Sequence, residues 1–335
     1  MNGNPRPVVC FGELLLRLSS PRGEAMLQGT RLDAHFGGAE GNVAVALARL
    51  GKRSAVVSAL PDDAIGDAAI DSLRKAGVDT SRIARAAGRM GVYYLTPPAG
   101  ASAGSVIYDR AGSVFAAMRS YDWPTLLAGA EWLHLSGIVP ALGPELAEVG
   151  RAAIAAARAA GVRVSFDGNF RGTLWAQWCT DPGAVLADYI AGADLLFGSH
   201  RDLSLVLGRE FGGTRETRQH SAALAAFERF PQLAAIASTE REIVTFDHHR
   251  LAARIDTHDE AFAAPPIDVP GIVDRIGTGD AFAAGVLARI DEGLEAAAST
   301  GLALAALKHG VAGDHSTAGK RELEAFAGGL SDVRR

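Results

Sequence analysis

Short apolar segments alternate regularly with alanine-rich segments along most of this chain. The strand candidates are residues 8–11, 54–60, 132–139, 162–167, 194–199 and 234–239. Between them lie the helix candidates NVAVALARLG, AIGDAAIDSLRKAG and PELAEVGRAAIAAARAAG, each of which ends at a glycine, as helices often do. Nearly continuous apolar strands separated by helices indicate an α/β fold with a mostly parallel sheet covered on both faces. In such sheets, ligands bind beyond the carboxyl ends of the strands.

Two early segments, within residues 12–36 and 88–118, interrupt this alternation. Both combine strand-like alternation with turn residues and lack a helical period. We expect them to pair into one small β-sheet lid over the crevice, while residues 1–11, 37–87 and 119–335 form the α/β core. Two surface hairpins without a role in binding are the alternative. An apolar one-layer sheet needs a partner, so we also expect a homodimer through the lid.

Composition excludes several classes of partner. The chain of 335 residues is 48% hydrophobic, which suits one large α/β domain with an appendage, or two domains. Its formal net charge of −5 argues against a nucleic-acid partner. No apolar run has the length of a membrane span or of a signal peptide. The two cysteines offer no disulfide framework or metal site, which fits a reducing cytoplasm.

The segment DRIGTGDAF, residues 274–282, places Gly277, Thr278 and Gly279 directly before an acid and an apolar helix. Glycines let the backbone approach a ligand, and the free N–H groups of a first helical turn favour an anion. Asp280 would repel that anion unless it faces a hydroxyl that attacks a bound phosphate. We therefore predict an anion hole at 277–279 and a general base at Asp280. An ordinary N-cap aspartate is the alternative.

A second glycine cluster, FGGAEGNVAVALARLG, opens the first long helix. Gly37 and Gly38 allow close backbone approach, and Asn42 can hydrogen-bond to hydroxyl groups, so a polyol is the expected ligand. The glycines could equally serve only the turn. The chain has no GxxxxGK[ST] motif and no GxGxxG after its first strand, which argues against a P-loop protein and a dinucleotide dehydrogenase.

These two glycine clusters, in this order and about 240 residues apart, resemble the two signatures of the ribokinase-like (PfkB) family of carbohydrate kinases. The resemblance covers nearly the whole chain. It implies a ribokinase-like, doubly wound sheet with a small β lid, and ATP and Mg²⁺ as cofactors. It also implies that Asp280 is the catalytic base, that 277–279 form the anion hole, and that Asp274 starts the second motif. Thr278 stands where alanine is commoner in the family.

Finer features, GVYYL, VIYDR, FDGNFR and ALKHGVAGD, resemble the branch of 2-keto-3-deoxygluconate kinases. That resemblance implies sugar contacts from Gly38, Tyr93, Tyr108, Arg110 and Asp314. Asn42, through its amide, and Arg171, at a strand end in FDGNFR, are further sugar-binding candidates. A sugar acid carries a carboxylate, and a guanidinium recognises a carboxylate through paired donors. Arg110 could instead be a solvated surface residue, and the tyrosines could be cross-strand packing residues. Arg171 could serve the ATP phosphates or form a structural ion pair.

For the nucleotide, the resemblance implies contacts from Asn169, Arg171, Ser199, Thr239 and Arg241, in addition to Gly277 and Gly279. One motif departs from the family. The family's usual Asn-x-x-Glu, which helps to organise Mg²⁺ and phosphate, is replaced here by Ser199 and Asp202 within GSHRD. Asp202 is therefore only an indirect candidate for the metal.

Three functions follow from these observations. The first is a kinase that transfers the ATP γ-phosphoryl group to the terminal hydroxyl of 2-keto-3-deoxygluconate or a close sugar acid. The second keeps the fold but acts on a neutral sugar, such as fructose or ribose, or on a nucleoside. The third is a non-catalytic sugar-binding relative, which only the GSHRD departure favours.

Overall fold

The computed structural model describes residues 5–100 and 102–327. The strands in this part of the chain are β1 (Val8–Phe11), β2 (Leu15–Ser19), β3 (Asp33–Gly37), β4 (Ser54–Pro61), β5 (Ile83–Ala86), β6 (Gly91–Thr96), β7 (Ser105–Asp109), β8 (Trp132–Ser136), β9 (Arg163–Asp167), β10 (Leu195–Phe197), β11 (Ala235–Thr245), β12 (His248–Thr257) and β13 (Ala261–Pro270).

The helices are α1 (Ala39–Arg49), α2 (Ala64–Ala76), α3 (Val114–Ala117), α4 (Trp123–Leu126), α5 (Ile138–Ala141), α6 (Pro144–Ala159), α7 (Gly172–Trp175), α8 (Pro182–Ile190), α9 (His200–Leu207), α10 (Arg215–Arg229), α11 (Thr278–Arg289), α12 (Leu294–Lys308) and α13 (Lys320–Ala327), with a 3₁₀ turn at Ile290–Glu292. None of the helices in the described ranges is both long enough and apolar enough to span a membrane.

The main sheet has the strand order β13-β12-β11-β10-β9-β8-β1-β4-β5. Seven neighbouring strands of this sheet, in the order β11-β10-β9-β8-β1-β4-β5, run parallel, whereas β12 and β13 are antiparallel strands at one edge. The chain builds outward from β1 to β4 on one side and from β8 on the other. The order therefore reverses between β1 and β8, and a crevice for a ligand is expected beyond the carboxyl ends of these strands.

Side chains from successive residues of β1 enter two different hydrophobic cores. Val8 and Cys10 pack with α1, α11 and α12, while Val9 and Phe11 pack with α6, α8 and α10 on the opposite face. This division follows from the alternation of side chains along a strand. The doubly wound, mostly parallel sheet with helices on both faces is confirmed.

The two interrupting segments form a sheet of their own, with the order β3-β2-β6-β7. In it β2 and β6 are parallel, and β3 and β7 are antiparallel edge strands. The prediction of one small sheet outside the main sheet is therefore confirmed. The helix α3, which follows β7, packs on the main core instead, since the Phe115 ring lies 5.6 Å from the Phe11 ring.

The structure corrects two strand predictions. The strand predicted at 132–139 ends at Ser136, because the Ser136 hydroxyl accepts a hydrogen bond from the amide of Ile138 (3.2 Å) and a helical turn begins there. The strand predicted at 234–239 continues to Thr245 and is followed by β12 and β13. The sequence did not indicate those two strands, because buried residues of β12 alternate with polar ones and β13 contains three prolines, which argue against a strand.

Candidate active site

One cavity of about 970 Å³ lies between the small sheet and the carboxyl ends of the main strands. Its wall includes every candidate residue from the sequence: Gly38, Asn42, Tyr93, Tyr108, Arg110, Asn169, Arg171, Ser199, Asp202, Thr239, Arg241, Gly277, Thr278, Gly279, Asp280 and Asp314. The position agrees with the reversal of strand order between β1 and β8. Residues up to 276 positions apart in sequence therefore share one site.

The amino terminus of α11 forms one end of the cavity. Gly277 is the N-cap residue with φ = 82°, a left-handed conformation that favours glycine. A Cβ atom at this position would lie 1.9 Å from the main-chain oxygen of Asp314, so the close approach of two loops also requires glycine. The Thr278 hydroxyl donates to the carbonyl of Arg275 (3.0 Å), which fixes the turn. The first N–H groups of a helix have no partners inside it, so this terminus is suited to an anion.

Asp280 does not cap its own helix. Its Oδ2 accepts a hydrogen bond from Nδ2 of Asn42 (2.6 Å), and no side chain caps α11 at Gly277. The N-cap alternative for this acid is therefore wrong. The pKa of Asp280 is raised to about 6, mainly by burial and in part by Asp314, while the hydrogen bond from Asn42 and the charges of Arg171 and Lys308 limit the rise. A carboxyl group with this pKa is suited to accept a proton near neutral pH.

Two further acids on the cavity wall, Glu40 and Asp167, were not among the candidates. Burial raises the pKa of Glu40 to about 7, and Asp280 adds to the rise. Burial also raises the pKa of Asp167 to about 8, with further contributions from Asp280 and Asp202. The raised pKa values show that these carboxyl groups disfavour further negative charge, which either a bound proton or a bound cation would relieve. A sequence signal for Asp167 existed, since it is the second residue of the FDGNFR segment and the last residue of a core strand.

Ser199 and Asp202 form a capping box at the start of α9. Asp202 Oδ2 accepts from the Ser199 amide (2.7 Å) and hydroxyl (2.8 Å). No group of three or more acidic, histidine or cysteine side chains in the described part of the chain could hold a metal alone. Mg²⁺ commonly binds through one or two carboxylates together with substrate phosphates. Asp167 and Asp202, which share the cavity wall, fit that mode of binding.

The sugar-binding candidates from the small sheet meet the core at Asp314. The Tyr93 hydroxyl donates to Asp314 Oδ2 (2.6 Å). Tyr93 is also the cross-strand neighbour of Tyr108, with 5.7 Å between the rings, and Tyr108 remains half exposed. Cross-strand packing and a polar contact in the cavity therefore occur together in Tyr93. Gly38 is the N-cap residue of α1, and a Cβ there would lie 2.1 Å from the carbonyl oxygen of Glu13.

The two candidate arginines differ in how far they are engaged. Arg110 is buried, and its Nε (2.8 Å) and Nη2 donate to Oε2 of Glu13. It is therefore not a solvated surface residue. Arg171 is exposed at the end of β9 and makes a single hydrogen bond, from Nη1 to the Phe170 carbonyl (3.3 Å). Within residues 5–100 and 102–327, Arg171 forms no ion pair, so the structural ion pair considered for it is absent.

The nucleotide candidates Asn169 and Ser199 follow the carboxyl ends of β9 and β10, and Thr239 and Arg241 lie within β11, on the part that extends past the end of β10. Burial lowers the pKa of Arg241, and the nearby Arg275 lowers it further. Neither Arg241 nor Arg275 has an acidic partner in the described part of the chain. Two guanidinium groups near each other on a cavity wall favour a polyanionic ligand. The sequence did not single out Arg275, because it lies within DRIGTGDAF, where the glycines and Asp280 are the residues with a clear chemical role.

Three charged residues that the sequence did not single out contact the candidates directly. They are Glu13, which binds Arg110, Arg17, which binds Asp314, and Lys308, which lies beside Gly277. All three are buried. Their roles depend on partners far along the chain, so no local motif identifies them.

Comparison with known proteins agrees with this architecture. The pattern of the pfkB family carbohydrate kinases matches residues 6–319. The chain is 33% identical to the 2-dehydro-3-deoxygalactonokinase of Haloferax volcanii, over 98% of this chain and 99% of that protein. It is also 33% identical to the 2-dehydro-3-deoxygluconokinase of Thermotoga maritima, whose crystal structure matches with a TM-score of 0.91 over 97% of this chain and 99% of that one. An uncharacterized sugar kinase of Pyrococcus horikoshii, solved in complex with ATP, matches with a TM-score of 0.71 at 25% identity, over 94% and 96% of the two chains.

Proposed function

Because this chain belongs to the PfkB family of carbohydrate kinases, we propose that it transfers the γ-phosphoryl group of ATP to the terminal hydroxyl of 2-keto-3-deoxygluconate or a close epimer. The observation that supports phosphoryl transfer most directly is the Asp280 carboxyl group, which Asn42 holds beside an uncapped helix terminus. The two relatives at 33% identity are kinases of different sugar acids, the galactonate and gluconate forms, so the proposal extends to both epimers.

In this mechanism, Asp280 accepts the proton of the attacking hydroxyl while the sugar oxygen bonds to the γ-phosphorus and the bond to the ADP oxygen breaks. The amide groups at 277–279 stabilise the charge on the transferring phosphoryl group. Asn42 keeps the carboxylate oriented toward the acceptor. Asp167 and Asp202 would hold Mg²⁺ together with the ATP phosphates, and the ion would supply positive charge that offsets the charge of those phosphates.

We assign the sugar-acid carboxylate to Arg171 and to the free edge of Arg110. Arg171 has no acidic partner in the described ranges, so its full charge is available in the cavity. Arg110 uses Nε and Nη2 for Glu13 and keeps Nη1 for a ligand. Tyr108, which lies within cation–π distance of Arg110 (5.6 Å), would shield that contact from water.

One observation favours a second candidate, a kinase of a neutral sugar. The buried Glu13 already neutralises Arg110, so this arginine attracts a carboxylate less strongly than a free guanidinium would. A neutral-sugar kinase would use Arg171 for the ATP phosphates alone. The two candidates therefore differ in what Arg171 does.

We expect the wild type to prefer 2-keto-3-deoxygluconate to fructose. Arg171→Met should lower kcat/KM for the sugar acid by roughly 10–150-fold, because a charge-assisted hydrogen bond contributes about 1.5–3 kcal/mol. Most of the loss should appear in KM, since the carboxylate is remote from the reacting hydroxyl. Fructose turnover should change little. The measurement is kcat and KM for both sugars and for ATP, in the wild type and the variant.

Arg110 needs a milder substitution, because Arg110→Ala would leave the buried Glu13 carboxylate with no positively charged partner, only the Ser113 hydroxyl, and cost about 3–5 kcal/mol of stability. Arg110→Lys keeps the cation but loses the fork, and it should lower acid turnover only in part. A wild type that prefers fructose, or an Arg171→Met variant that weakens ATP and both sugars equally, would reject the carboxylate assignment and retain the kinase.

The pH dependence of kcat should show an acid limb near pH 6. Asp280 works as the ionised base, and its raised pKa means that ionisation is lost as the pH falls through about 6. Below that point kcat should fall about tenfold per pH unit. Asn42→Ala removes the hydrogen bond that lowers this pKa, so the limb should move to higher pH. The ionisation of ATP is the same in both proteins, so a limb that stays in place would contradict the role of Asp280.

We also propose that the small sheet joins two copies of the chain. Leu18, Tyr94 and Ile107 are neighbours across β2, β6 and β7 on the face opposite Tyr93, and Ile107 is 57% exposed. Such an apolar row on a one-layer sheet favours a partner surface. Ile107→Glu should convert a dimer to a monomer in sedimentation velocity, and a wild type that is already monomeric at assay concentration would contradict the proposal.

A further inference from the structure

A buried arginine connects the small sheet to the loop that carries the anion hole. Arg17 lies on β2, its exposed fraction is 4%, and its side chain faces the cavity. Its Nη2 lies 2.7 Å from Asp274 Oδ2, and its Nη1 donates to Asp314 Oδ1 at 3.1 Å. Its Nε donates to the Ser19 hydroxyl on the same strand at 2.7 Å. The guanidinium group thus contacts two acids of the core, and Ser19 on the small sheet holds it in place from the other side.

Asp274 connects Arg17 to the loop that carries the proposed anion hole. Its Oδ1 accepts from the amide of Ile276 (3.0 Å), the residue before Gly277. Its Oδ2 accepts from the amide of Gly313 (3.1 Å), the residue before Asp314. One carboxylate therefore fixes both loops that meet at Gly277. Any shift of Asp274 would move the amide groups of the proposed hole.

Lys308 completes a buried charge cluster with Arg17, Asp274 and Asp314. It is 0% exposed, and its Nζ donates to the Val311 carbonyl (2.9 Å). Burial lowers the pKa of Lys308, while Asp274 and Asp314 counteract that effect. Two cations and two anions balance in this cluster. Buried ion pairs of this kind often add little net stability, so we take their role to be holding the two loops and the small sheet in one arrangement.

We propose that Arg17 is a positioning residue for phosphoryl transfer, because it ties the small sheet to the Asp274 loop and so sets the geometry of the anion hole. This inference rests on the proposed hole at 277–279. A lysine could approach one carboxylate, but it could not hold Asp274, Asp314 and Ser19 in the same plane. Phosphoryl transfer would then depend on the small sheet being seated on the core.

The test compares a substitution at Arg17 with alanine substitutions at two neighbouring serines, Ser19 and Ser20. Arg17→Lys should lower kcat about 10–100-fold, since a displacement of about 1 Å can cost that much. The KM for ATP should stay within about threefold, because the contact is made beside the transferred group and not along the nucleotide. Ser19→Ala should lower kcat roughly 2–10-fold, the effect of one net hydrogen bond. In each preparation the number of ATP-binding sites is measured by titration, and kcat is calculated per binding site.

Ser20→Ala is the control. Ser20 is a buried neighbour on the same chain segment, but its hydroxyl donates to the Glu24 carbonyl (2.9 Å) and not to Arg17. Its kcat should equal that of the wild type. A purely structural role of Arg17 predicts fewer folded molecules and a lower Tm, but an unchanged kcat per ATP-binding site.

Full kcat in Arg17→Lys would overturn the inference, and so would equal losses in Ser19→Ala and Ser20→Ala. Should Arg17→Lys fail to fold, the serine pair alone decides. Loss of activity in Asp280→Asn together with full kcat in Arg17→Lys would reject the positioning role and leave the proposed base intact.

Discussion

Asp280→Asn should fold normally and lose about 10²–10⁴-fold in kcat, which is the range for removal of a general base. Asparagine is nearly isosteric with aspartate, so the contact with Asn42 can be kept. The carboxylate does not cap α11, so its loss should leave the helix terminus intact. The KM for ATP should change little. The measurement is kcat for the preferred sugar, together with calorimetric binding of ATP.

A matched control is Asp67→Asn. Asp67 also lies in the first turn of a helix, α2, where its exposed carboxylate pairs with Arg85 (2.8 Å). It is outside the cavity, so this variant loses a charge near a helix terminus without loss of a base. Its kcat should equal that of the wild type. Full kcat in Asp280→Asn would show that the acid is not the base, whatever the family.

The parts of the site that lie in short motifs could be predicted from the sequence. Gly277, Thr278, Gly279 and Asp280 are consecutive, and a glycine run before an apolar helix has a physical meaning that does not need the rest of the fold. The same holds for the parallel sheet, because apolar runs and helical periods are local patterns. Their meeting in one cavity follows from the position of strand ends in an α/β sheet.

The pairing of charges across the site could not be predicted. Arg17 and Asp314 are 297 positions apart, and Arg110 and Glu13 are 97 apart. Either arginine could have faced solvent, a carboxylate ligand or a protein acid, and the register of β2 against β6 and of β6 against β7 decides between them. The antiparallel strands β12 and β13 were missed for a related reason. Buried residues of β12 alternate with polar ones, which is a weaker signal than a continuous apolar run, and the prolines of β13 argue against a strand.

Gly277→Ala should be the most damaging small substitution in the anion hole. The new Cβ would lie 1.9 Å from the main-chain oxygen of Asp314. Because that oxygen belongs to the backbone, the collision can be relieved only if one of the two loops moves. An alanine at φ = 82° adds about 1–2 kcal/mol of strain. The displaced amides should lose the stabilisation of the transition state, which costs about 10²–10³-fold in kcat when one donor is removed.

Gly293→Ala separates strain from position. Gly293 is the N-cap of α12 with φ = 108°, and no atom lies within 4 Å of a Cβ placed there. Its backbone (φ = 108°, ψ = 163°) is also one that L residues rarely adopt, so Gly293→Ala is strained too, but without a collision and outside the cavity. Both variants should lose stability in urea unfolding, by about 1–3 kcal/mol from strain. Only Gly277→Ala should also lose kcat and suffer the added cost of overpacking, about 1–3 kcal/mol. Equal kcat in the two variants would mean that the amides at 277–279 do not contact the transferring phosphoryl group, and that the glycine serves the loop contact alone.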